Sequence, residues 1–70
     1  MTKRTEPATP AEIAYWNFHS ASLTDEQIWS ISKQCSKLLW AAVRNGDLVT
    51  ENYYRVKADT YMDELSRRED

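Results

Sequence analysis

The sequence predicts an all-α protein, a small three-helix bundle, on three observations. From residue 11 onward apolar residues recur at steps of three and four, and no alternating run competes as a strand. Helix-start signals fall at Thr9, Thr24 and Thr50. Both prolines lie before residue 11, and the single glycine, Gly46, follows a long periodic stretch, so nothing breaks a helix from within.

The first ten residues, MTKRTEPATP, hold charged and small residues with no apolar anchor, and a flexible leader is expected over residues 1–8, followed by a single helical domain over 9–70. A first helix is expected near 10–20. Thr9 can accept a hydrogen bond from an orphan amide, Pro10 stands where its missing N–H is harmless, and Glu12 completes a capping box. A second is expected near 24–45, with Thr24 as cap, Gln27 bonding back and Leu23 stapled onto Ile28. It stops where Arg44 meets the negative end of the helix dipole and Gly46 can take a left-handed conformation. A third is expected near 50–67, capped by Thr50 with Val49 stapled onto Tyr54, although Asp47 offers a start one turn earlier. The end, Arg67-Arg68-Glu69-Asp70, reads as a frayed, charged tail. Linkers of about three to five residues make neighbouring helices antiparallel or steeply crossed.

On the second helix Ile28, Ile31, Cys35, Leu38, Leu39 and Ala42 form a core stripe. Adding Trp29, Trp40 and Val43 widens its apolar arc to about 200°, the width expected of a central helix with a neighbour on each side. Eleven residues separate the two tryptophans, three turns plus about 20°, so they share a face. Aromatics at helical spacing read first as core, here closing against Ile13, Trp16 and Phe18. The second reading is that Trp29 and Trp40 anchor a contact with another chain, with Ser32 and Ser36 leaving a shallow notch between them. The first helix spans only about 16 Å, too little to cover both indoles with any slack. It is itself apolar on two sides, Ile13 and Trp16 on one and Tyr15 and Phe18 on the other, and one side should stay uncovered. The third helix offers Tyr54, Ala58, Tyr61, Met62 and Leu65 to the core and turns Arg55, Asp59 and Asp63 to water.

Seventy residues bury little core, typically worth about 3 to 5 kcal/mol, and such chains usually add a disulfide, a metal or a second subunit. Cys35 is the lone cysteine and His19 the lone histidine, so neither a bridge nor a zinc site is expected, and self-association or a partner protein is the route left. An unpaired thiol, no secretion signal and no apolar run long enough to span a bilayer point to the cytoplasm, away from membranes.

Catalytic and cofactor chemistry finds no constellation. His19 beside Ser20 and Ser22 reads as a polar loop histidine, and Asp59, Asp63 and Glu64 as a solvated acidic face. Cys35 reads as a small core hydrophobe, and one glycine cannot build a phosphate loop. No enzyme, cofactor or metal is expected. Lys33, Lys37 and Arg44 lie within about 40° of one another beside Trp40, a basic stripe able to hold phosphates or an acidic protein patch. A formal net charge of −2 and the acidic third helix disfavour a helix-turn-helix reader.

The sequence therefore points to a non-catalytic protein acting through protein–protein interaction, as an accessory regulator, adaptor or inhibitor of a larger machine, able to form a homodimer. The expected contact surface is Trp29, Lys33, Lys37, Trp40 and Arg44, with Tyr15 and Phe18 as a second candidate. The alternatives are a small nucleic-acid-binding transcriptional regulator using the Lys33, Lys37, Arg44 stripe, and a structural subunit of a larger assembly.

Overall fold

A computed structural model describes residues 6–69; residues 1–5, which hold most of the expected leader, and Asp70 of the expected tail lie outside the described residues. The chain folds into three α-helices: α1 Pro10–Ala21, α2 Asp25–Arg44 and α3 Leu48–Glu69. Both expected capping boxes form. Glu12 N–H donates to Thr9 Oγ1 (3.2 Å) and Thr9 N–H to Glu12 Oε1 (3.0 Å), a reciprocal pair repeated by Gln27 and Thr24 at 3.1 and 2.9 Å. Ala8, inside the span expected to be leader, already packs against the core.

The turn between α2 and α3 corrects the expected start of the third helix. Gly46 adopts φ 69°, and its N–H bonds the Val43 carbonyl at 3.1 Å while the Asp47 N–H bonds that of Ala42 at 2.9 Å, a Schellman closure of α2. Asp47 then caps α3: its carboxylate accepts from the Thr50 N–H (3.2 Å) and the Thr50 hydroxyl (2.6 Å). Thr50 is therefore a third-position residue held by the cap, and the helix starts at Leu48 because a carboxylate serves a positive helix terminus better than a hydroxyl does.

The topology is up-down-up, and the helix in the middle is α3. It packs against α2 along one side and α1 along another, while α1 and α2 have little direct contact. This overturns the central place expected of α2. Tyr53, Lys57 and Tyr61, four residues apart, form the row that meets α1: Tyr53 stands edge-on to Trp16 (centroids 5.3 Å apart), Lys57 Nζ lies 5.7 Å from the centre of the Trp16 ring, and Tyr61 shares a hydrogen bond with His19. The core gathers Trp16, Ile28 and Tyr61, all but closed to solvent, with Ile13, Leu23, Ile31, Val56 and Leu65 packed around them. Leu23 packs against the cluster to which Ile28 belongs. Burying each large side chain stabilises by about 1.5 to 3 kcal/mol, and few residues here are fully buried. With α3 about 33 Å long by helical rise, the 37 Å long dimension of the molecule is set by this helix.

Arg68, expected in a frayed tail, instead ties the ends of all three helices together. Its Nε donates to Glu64 (2.9 Å) in α3, one terminal nitrogen donates to Asp25 (2.6 Å) at the start of α2, and the other donates to the carbonyls of Ser20 (3.1 Å) in α1 and Leu23 (2.6 Å) in the linker. The planar fork of an arginine suits this; a lysine could not reach four acceptors at once. Helix α3 accordingly runs to Glu69. The Arg68 side chain first, and that of Arg67 next, hold the Glu64 carboxyl below its ordinary value of 4.5 by donating hydrogen bonds to it.

Two predictions follow from these ends. In urea denaturation Asp47→Ala should cost about 1 kcal/mol and Thr50→Ala less than half of that; Gly46→Ala should cost about 1 to 2 kcal/mol, from backbone strain alone, because nothing lies within 4 Å of where its Cβ would stand. Glu64, with its pKa lowered on folding, contributes stability above pH 4.5 that is lost as pH falls through the lowered value. The gap in thermal midpoint between the natural chain and Arg68→Leu should therefore be widest near neutrality and narrow below pH 4.5, read by circular dichroism across a pH series.

Candidate functional site

Because α3 takes the middle position, α2 has a neighbour along only one side, and its wide apolar arc is covered only in part. The covered half is the expected stripe: Ile28, Cys35 and Ala42 are buried and Ile31, Leu38 and Leu39 half-buried. The other half is open, with Trp29 57%, Trp40 60% and Val43 39% exposed. The core reading of the two indoles is thus corrected. They do not close the bundle against Ile13, Trp16 and Phe18, since α1 lies against α3 and Phe18 is itself 79% exposed.

Between α2 and α3 runs an open groove of 750 Å³, walled by Trp29, Ser32, Lys33 and Ser36 of α2 and by Ala58 and Met62 of α3. The notch expected between the two indoles thus lies beside Trp29 alone: Ser32 and Ser36 line it, and Trp40 is not among its walls. Its depth comes from short side chains, Ser32, Ser36 and Ala58, between longer ones. Ser32 is 8% exposed, and its hydroxyl is buried without a hydrogen-bond partner among the described residues. The buried hydroxyls of Ser20 and Thr60, by contrast, are satisfied within their own helices, Ser20 by the Asn17 carbonyl (3.0 Å) and Thr60 by that of Val56 (2.8 Å). Trp40 stands about one turn beyond Ser36 on the same face.

The three cations of the stripe, Lys33, Lys37 and Arg44, are all exposed. Among the described residues none of them has a carboxylate partner. The arginines of α3 differ in this: Arg55 pairs with Glu51 (2.6 Å), Arg67 with Glu64 (3.0 Å), and Arg68 with Glu64 and Asp25. The expected acidic face is therefore partly engaged, Glu64 being bound while Asp59 and Asp63 remain exposed.

On α1 the exposed pair is Tyr15 (58%) and Phe18. Tyr15 stacks on His19 with ring centres 5.4 Å apart, and His19 Nδ1 and the Tyr61 hydroxyl share a 2.8 Å hydrogen bond. His19 is thus a residue of the last helical turn anchored to the core, not a loop histidine. The nearby hydroxyls are turned elsewhere, Ser22 to the His19 carbonyl (2.8 Å) and Ser20 to that of Asn17. Burial, chiefly, raises the pKa of the Tyr61 phenol, with smaller contributions from Tyr15, Cys35 and Tyr53. Burial also pushes the Cys35 thiol up, against a weaker opposing pull from Lys57. Among the described residues no group of three or more His, Cys, Asp or Glu side chains is placed to hold a metal.

No protein family matches the chain, and no curated protein or solved structure is significantly similar to it. The site therefore stands on its geometry. Ala58 and Met62, assigned from the sequence to the core, are groove walls, and Lys57 and Arg68 hold other helices; the sequence carried no signal for these roles because each depends on which side of α3 its neighbours take.

Acrylamide quenching of chains retaining a single tryptophan should separate the three indoles: Trp29 and Trp40 quenched nearly as freely as a model peptide, Trp16, at 4% exposure, several-fold less.

Proposed function

We propose that this chain is a non-catalytic helical protein that works by docking onto another protein, as an accessory regulator, adaptor or inhibitor of a larger machine. The observation that carries the reading is the pair of indoles on one face of α2, each more than half exposed beside three cations that lack partners among the described residues. Exposed tryptophan is rare on a surface with no binding role and common at the centre of interfaces. The reading places the protein in the cytoplasm, in keeping with its single thiol, and away from membranes: among the described residues no helix is long and apolar enough to cross one.

One other reading is favoured by a specific feature, the basic stripe beside Trp40, which suits nucleic acid. It is opposed by Asp59 and Asp63, exposed on α3. Titration of labelled duplex and single strands at low salt decides it: absence of binding there removes nucleic acid, since phosphate contacts are strongest at low salt.

The docking reading predicts that Trp40→Ala changes folding stability by about 0.5 kcal/mol or less, as befits an exposed side chain, while weakening association by about 2 kcal/mol. Calorimetry and affinity capture from the native host, run side by side on both chains, check it. A large fall in thermal midpoint with capture unchanged would return Trp40 to a structural role.

A further inference from the structure

We infer that the occupant of the α2 face is an acidic amphipathic helix supplied by another protein, lying along α2 across Trp29 and Trp40 with one bulky side chain in the groove beside Trp29. This deepens the docking proposed above and rests on it. The first argument is charge. In a chain of net charge −2, the arginines of α3 are neutralised by carboxylates within the fold, whereas Lys33, Lys37 and Arg44 on the open face have none among the described residues. Carboxylates at matching spacing on an incoming surface complete them.

The same cations disfavour a second copy of this chain. An antiparallel α2 pair that sets Trp29 opposite the copy's Trp40 brings Lys33 alongside the copy's Lys37, and a parallel pair sets each lysine against itself. Nucleic acid fares no better. Glu26 and Asp63 flank Trp29 in the groove and its continuation toward the end of α3, where a phosphate chain would meet like charge. A helix avoids both conflicts, because it can present carboxylates along one edge only.

Length and shape favour a helix as well. The indoles stand about 16 Å apart along α2, a span matched by three turns of a partner. Beside Trp29, the short side chains of Ser32, Ser36 and Ala58 leave room for a large apolar side chain, in a groove of 750 Å³. The buried Ser32 hydroxyl, unpartnered among the described residues, is a spare hydrogen-bonding group at that point.

The test uses the full chain as bait for a displayed library of helix-forming peptides of about 18 residues, long enough to cross both indoles. Selected peptides should carry an excess of Asp and Glu on one edge of an apolar face. A synthetic copy of the best one should bind the natural chain and Lys33→Arg/Lys37→Arg alike, and lose about tenfold or more in affinity on Lys33→Glu/Lys37→Glu and on Trp40→Ala, all variants keeping their helical circular dichroism. Its affinity should also fall with added salt. Peptides with no acidic excess, or binding unmoved by charge reversal but lost with Trp40→Ala, overturn the acidic helix and leave the docking reading intact. Binding unmoved by either variant overturns both.

Discussion

Helix α3 is packed on two sides at once, and the rest of the molecule is arranged around that fact. Tyr61 marks the point where the two packings meet: its ring lies in the cluster with Trp16 of α1 and Ile28 of α2, and its hydroxyl holds His19. A three-helix chain drawn out in this way has one inner helix and two outer ones, and an outer helix has only one flank to bury. For α1 that leaves Tyr15 and Phe18 outside. For α2, whose apolar arc spans about 200°, it leaves Trp29 and Trp40 outside. The open face is thus a consequence of topology acting on a sequence that is apolar beyond the needs of its own fold.

The sequence declared its helices well and their arrangement less well. The capping boxes at Thr9 and Thr24 and the glycine turn after α2 are local chemistry, settled by residues three or four positions apart, and they form as the sequence implies. Asp47 and Thr50 compete for one cap over the same three residues, and the outcome turns on the strength of a carboxylate acceptor, a finer distinction than pattern resolves. Which helix lies in the middle is a tertiary matter. A wide apolar arc on α2 suggested two neighbours, but the same arc is equally compatible with one neighbour and one open face. The α1-facing row of α3 was hidden for a related reason: it contains Lys57, whose charge reads as surface although its ammonium lies over the Trp16 ring. Arg68 looked like tail for the same reason, since charge alone does not say whether acceptors converge on it.

Polar contacts do much of the work of closure in this small fold. At the end where α1 stops, α2 begins and α3 finishes, the last carbonyls of α1 need donors and apolar material is scarce. A single guanidinium meets that need and brings Glu64 and Asp25 into the same junction. At the opposite end Asp47 belongs to two helices at once, its N–H closing α2 and its carboxylate opening α3. Short linkers are possible because one residue performs both functions.

Leaving two indoles in water carries a cost, because the apolar area they expose is area that folding did not recover. A chain this short has little stability in reserve, so exposed tryptophan at two positions on one face is not explained by the fold. On the docking we propose, the same area is buried against a partner and its hydrophobic contribution is recovered at the interface. On that proposal the cations beside the indoles, which have no carboxylate partner among the described residues, add selectivity: they raise the cost of any apolar contact that does not bring carboxylates with it. On the same proposal, like charge along the open face disfavours a second copy, whereas a helix with carboxylates on one edge meets complementary charge there.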